Sequence, residues 1–280
     1  MTTVTSVVLA VGTLVGLVLA FWYVRGLLEL RRHPQGRRQQ RWRPWALLLG
    51  VLVVIVLGAS PLGELLEQRL VTHMAQHVAF MMVAAPLLAL AAPGAPLLAG
   101  MPAALRHRLV SAVRRVPHRL LLSAQFAWVL QVVVLWGWHM PAAYDAALRS
   151  EGVHLLEHVC FLGAAWLFWW QLATRGARRL RGLPAMLYVA ASIPPGAALG
   201  AVLTFASSPI YPAQAARAAA SGIDPLLDQR LGGLVMWVPL DFAYVVLAMA
   251  IFARWLQREG PAGDAAGELV IPDLTAGAHR

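Results

Sequence analysis

The sequence predicts an all-α polytopic membrane protein, a bundle of seven transmembrane helices. Three observations lead there. Hydrophobic residues make up 59% of the 280 positions and charged residues only 13%, with a mean hydropathy of +0.64. That apolar share exceeds the roughly 45–50% of ordinary soluble domains. The apolar residues also fall into seven runs separated by short polar loops, and arginine-rich loops alternate with arginine-poor ones.

The runs are 5–28, 45–60, 72–90, 121–138, 153–172, 183–205 and 231–255. A spanning helix needs about 17–25 residues, so most of them qualify. The second is the shortest. No basic region precedes the first, so it reads as a retained helix and not as a signal peptide. Helix six carries Pro194-Pro195, which should kink it. Its Gly196 and Gly200 have the small-x-x-x-small spacing that suits close helix packing. Residues 1–259 form the transmembrane domain in this reading. Residues 260–280, rich in Gly, Ala and Asp, form a flexible cytoplasmic tail.

Loop charge sets the orientation. The formal charge of +10 comes entirely from arginine, because the chain has no lysine. Arginines crowd the segments after helix one, between three and four, between five and six, and after seven, whereas the opposite loops hold only Arg69, Arg149, Arg217 and Arg230. By the positive-inside rule the basic loops are cytoplasmic, the amino terminus is outside and the carboxyl terminus inside. Arginines confined to short loops between apolar runs argue against a nucleic-acid partner and for a lipid bilayer. Trp45, Trp169, Trp170 and Trp255 then lie near the inner interface and Trp136 and Trp138 near the outer one.

This topology brings five of the nine histidines to one level. Helix three begins outside with His73 and His77, helix four ends outside at His139, and helix five begins outside with His154 and His158. Each i,i+4 pair shares a helix face. Ionisable residues at membrane depth are costly and mark function, and imidazole is the commonest protein metal ligand. A lone helix-end histidine is ordinarily a packing residue; five from three helices favour a binding site. His33, His107, His118 and His279 fall in basic loops or the tail and read as solvated.

Four further residues could support such a site. Met74 and Met140 adjoin His73 and His139 and offer thioethers, although methionine in a bundle is ordinarily filler. Glu157 could accept a ring N–H from a ligating histidine. Asp228 has two readings, as a cap for helix seven or as a residue facing the cluster. Cys160, the only cysteine, permits no internal disulfide and reads as a small buried residue. Asp241 lies too deep to join the cluster and should face the bundle interior. Other catalytic patterns are weak. A phosphate-binding loop is impossible without lysine, and no His-Glu-x-x-His occurs.

Several blocks carry a family resemblance. They are Thr72-His73-Met74-Ala75-Gln76-His77 with 84–88, Trp138-His139-Met140-Pro141 with 144–148, 153–158 with Phe161 and Trp169, and 228–237 beginning Asp228-Gln229-Arg230. In this order the chain resembles the CtaG family of cytochrome c oxidase assembly factors, associated with caa-type oxidases. The resemblance implies a non-enzymatic protein of the bacterial inner membrane that helps assemble a haem–copper oxidase by supporting copper delivery. Its partners would be oxidase subunits or other copper-delivery proteins. The positions it carries over are His73, His77, His139, His154, His158 and Asp228. Two other classes stay open: a membrane-embedded zinc hydrolase, which keeps a coordination position for water, and a haem-binding or haem-transfer protein using two histidines as axial ligands.

Overall fold

The computed structural model describes residues 18–30, 32, 42–58, 68–115, 122–173 and 180–264. All regular secondary structure among them is helical. Helix α1 covers 18–30 and α2 Arg43–Gly58. The long α3 covers Leu70–Ala91. It is followed by short α4 (Gly94–Gly100) and basic, exposed α5 (Ala103–Arg115), which carries His107. Next come α6 (Ala124–Trp138), α7 (Pro141–Arg149) and α8 (Glu151–Ala173). The chain ends in α9 (Gly182–Ala190), α10 (Ile193–Phe205), α11 (Pro212–Ala220) and α12 (Pro225–Asp264).

The described part of each apolar run is mostly helix, but not every helix is a full span. Among the described residues four are long and apolar enough to cross a membrane: α3, α8, the α9–α10 pair, and α12 as far as Gln257. A fifth arises if α6 and α7, bent by 71° at His139 and Met140, count as one span. Of the other runs, α2 has 16 residues and α6 alone 15, short of the ~20 that cover a hydrocarbon core. The first run is described only from residue 18. Large apolar side chains face outward along the bundle, including Leu155 at 64%, Phe242 at 69% and Phe205 at 76% exposure, as they do where lipid replaces water.

Helix α12 runs through the boundary expected at 259/260 and ends at Asp264. Residues 265–280 lie outside the described residues, as do His33, His118, His279 and the arginine-rich stretches 33–41 and 174–179.

Two local features tie the helices together. The expected kink in span six is a break at Ala191 and Ser192, with the prolines in the first turn of α10, where their missing N–H groups cost nothing. Beyond it, Gly200 lies against Trp237 of α12, and Gly233 of α12 lies against Thr204 and the Gly200 backbone. The second feature is a π turn in α3 over Phe80–Ala84. There the Ala85 N–H donates to the Phe80 carbonyl, one residue further back than in an α-helix. The Met81 carbonyl would then need the N–H of Pro86, which has none. The indole Nε1–H of Trp169 on α8 donates to it instead, at 2.8 Å. The apolar core continues through Phe168, stacked on Tyr188 at 4.5 Å, and on to Tyr244, Leu240 and Met236 of α12.

Candidate metal centre

The starts of α3 and α8 and the end of α6 meet at one end of the bundle, and all five histidines meet with them. On α3 the His73 and His77 rings are 4.3 Å apart; on α8 the His154 and His158 rings are 4.2 Å apart. His73 stacks on His154 at 5.5 Å, His77 meets His158 edge-on at 5.3 Å, and His139 lies 6.5 Å from His77. His73, His77, His139 and His158 are buried, while His154 is partly exposed. Phe161 and Phe80 form apolar walls, 4.5 Å from His77 and 5.0 Å from His158.

Glu157, 1% exposed, sits in the middle of the rings. Its Oε2 is 4.0 Å from His73 Nε2 and 3.9 Å from His154 Nε2, and its Oε1 is 3.9 Å from His77 Nε2. These separations are too long for hydrogen bonds. They are near the roughly 3.4 Å that separates neighbouring donors around a tetrahedral ion with bonds of about 2.1 Å. His73, His154 and Glu157 each offer one donor atom with all three within 4.8 Å of one another. Both ring nitrogens of His73 and of His77, and Nε2 of His158, are buried without a hydrogen-bond partner. Buried polar atoms are nearly always satisfied, so this concentration of free imidazole nitrogens fits a site that takes a cation.

The predicted supporting residues divide. Glu157 lies at the centre and Met74 is fully buried, its Sδ 3.3 Å from His139 Nε2. Met140 is 62% exposed and belongs to no part of the cluster. It starts α7 beyond the bend, so adjacency to His139 in sequence does not make the two side chains neighbours. Asp228 follows neither of its two readings. Asp224 caps α12, accepting from Leu226 N at 2.9 Å and Leu227 N at 3.2 Å. Asp228, one turn on, accepts instead from the backbone of α3, from Leu70 N at 2.7 Å and Val71 N at 3.3 Å. Arg69, the residue at the cap position of α3, supplies no side-chain cap of its own. Asp228 therefore anchors the first turn of the helix that carries His73 and His77.

Sequence reasoning gave no site role to two tyrosines, although Tyr144 opens the family block 144–148. Tyr144 of α7 is 1% exposed, faces the His73 ring edge-on at 5.6 Å, and has a buried hydroxyl without a hydrogen-bond partner. Tyr211 packs on Tyr144 at 4.2 Å and donates to the His139 carbonyl at 3.0 Å. Arg217 of α11 donates to the Leu148 carbonyl of α7 at 3.1 Å. The amphipathic pattern of α7 was the available signal for Tyr144. Cys160 is partly buried and takes no part in these contacts. Asp241 lies thirteen residues after Asp228 on α12, about 20 Å along the axis, and turns towards Gly196 of α10.

The sequence model of one protein family, described as cytochrome c oxidase caa3 assembly factor (Caa3_CtaG), matches residues 21–258. No curated protein and no solved structure matches the chain. The matched stretch takes in every helix that builds the cluster, and it carries the non-enzymatic assembly role of its members. The chain belongs to the Caa3_CtaG family of cytochrome c oxidase caa3 assembly factors.

Proposed function

We propose that this assembly factor handles copper for the oxidase it helps to mature, taking the ion as cargo at the histidine cluster. The observation that carries the reading is the gathering of His73, His77, His154, His158 and Glu157, in which the buried ring nitrogens of His73 and His77 and Nε2 of His158 have no hydrogen-bond partner. Imidazole accepts copper in both oxidation states as well as zinc, and the carboxylate adds charge compensation. His139 and Met74 complete the donor set. The chain crosses the bacterial cytoplasmic membrane seven times, with its amino terminus outside, so that the cluster faces the compartment in which oxidase subunits and copper-delivery proteins meet it. The alternation of arginine-rich and arginine-poor loops supports this orientation.

The test is metal analysis of the full chain, purified without affinity histidines, before and after loading with copper(I). Stoichiometric copper that falls in the His73→Ala/His139→Ala variant is the expected result. A double variant that binds copper normally, in cells whose oxidase matures fully, would sink the proposal.

A further inference from the structure

His139 has its proton assigned by its neighbours. Its Nδ1 lies 2.6 Å from the Leu135 carbonyl. A carbonyl oxygen only accepts, so Nδ1 carries the hydrogen and Nε2 carries a lone pair. That lone pair points at the Met74 sulfur, 3.3 Å away. A thioether has no proton to donate. Two acceptors therefore face each other in a buried place, with His139 5% exposed and Met74 fully buried. A proton on Nε2 would relieve the opposition only by charging a buried ring surrounded by other imidazoles, which is costly. A soft cation between them would turn both lone pairs into ligands. The arrangement is firmly held, because Tyr211 fixes the His139 carbonyl and Leu135 fixes its ring.

The other half of the cluster differs in kind. His73, His154 and Glu157 present two imidazoles and a carboxylate, a harder set suited to zinc or copper(II). Thioether with imidazole suits copper(I). His77 stands between the two halves, with its ring 4.3 Å from that of His73 and 6.5 Å from that of His139. We infer that the cluster is two subsites, a soft copper(I) subsite of Met74 Sδ and His139 Nε2 and a harder, carboxylate-bearing one of His73, His154 and Glu157. This rests on the proposal that the cluster binds copper, and it adds which oxidation state each half selects.

The experiment uses the full chain in detergent, with copper(I) and zinc(II) as separate probes. Affinities are read by competition with chromophoric chelators, and the copper ligands by X-ray absorption. Met74→Leu preserves volume and is tolerated in a packed core. It is expected to weaken copper(I) binding by about tenfold or more, the scale seen for lost metal-site partners. It should also abolish the copper–sulfur shell and leave zinc(II) affinity unchanged. Glu157→Gln should do the reverse, weakening zinc(II) and keeping the sulfur shell. The shell should survive in Met81→Leu, Met140→Leu and Cys160→Ala, which tests those three sulfurs as its source. Copper(I) held by nitrogen and oxygen alone in the unaltered protein would overturn the soft subsite while leaving the copper proposal standing. An unaltered protein that binds neither metal would overturn both. If Met74→Leu fails to fold, the Met81→Leu/Met140→Leu/Cys160→Ala variant decides: a sulfur shell there supports Met74, and its loss refutes it.

Discussion

Replacing Asp228 with alanine alters a helix that Asp228 does not belong to. The substitution strips the acceptor from Leu70 N and Val71 N, at 2.7 and 3.3 Å, and α3 has no cap residue of its own to replace it. Loss of a helix cap costs about 0.5–2 kcal/mol. A hydrogen bond to a charged group contributes about 1.5–3 kcal/mol. Asp228 is 4% exposed, so solvent does little to compensate. These figures put Asp228→Ala at about 2–3 kcal/mol of destabilisation, or a fall of roughly 3–5 °C in Tm for a chain of this size. Asp228→Asn keeps an acceptor oxygen and should lose about 1 kcal/mol, since only the charge assistance goes. The assays are thermal unfolding in detergent and backbone hydrogen exchange at residues 70–73. Exchange there should quicken in the alanine variant ahead of any global unfolding, because fraying starts at the uncapped turn. Unchanged Tm with unchanged exchange at those amides would refute the cross-helix cap.

Reporter fusions after Ser150 should register the outer compartment and fusions after Arg181 the cytoplasm; the opposite result would remove the basis for an outward-facing cluster. Single His→Ala changes at 73, 77, 139, 154 or 158 should weaken copper binding with the helical circular dichroism signal intact, since most apolar packing lies elsewhere; unfolding instead would mark the rings as structural. Asp241→Asn should keep its metal, and metal loss from a folded Asp241→Asn protein would contradict its depth. Gly233→Ala would put a Cβ 2.8 Å from Thr204 N and 2.9 Å from Gly200 O, and should cost about 1–3 kcal/mol by overpacking. Gly137→Ala, with nothing within 4 Å of the new Cβ, is the control and should leave thermal stability intact.

The histidine cluster was legible because two rules act together. Helical periodicity puts His73 with His77 and His154 with His158, and arginine distribution brings three helix ends to one side. Glu157, three residues after His154, shares that face for the same reason. Contacts that depend on rotation between helices were not legible. Met74 and Met140 look equivalent as sequence neighbours of histidines, yet one is buried against His139 and the other faces outward. Asp228 meets Leu70 across 158 residues of chain, a distance over which no local pattern operates. Nor does composition count spans safely. A 15-residue helix that bends by 71° at its end has the same apolar signature as a straight crossing.

The bend after α6 brings α7 against the cluster. There Tyr144 closes over His73 and meets Tyr211, while Arg217 ties α11 to Leu148. Of the five histidines only His154 keeps appreciable contact with the surroundings. If the cluster takes an ion as proposed, the way in that these contacts leave open runs past His154. Exchange of such an ion would then depend on local opening around the cluster, a motion on the microsecond-to-millisecond scale or slower, as well as on the lability of its bonds to imidazole. Burial of that kind would slow exchange with free chelators even where affinity is modest.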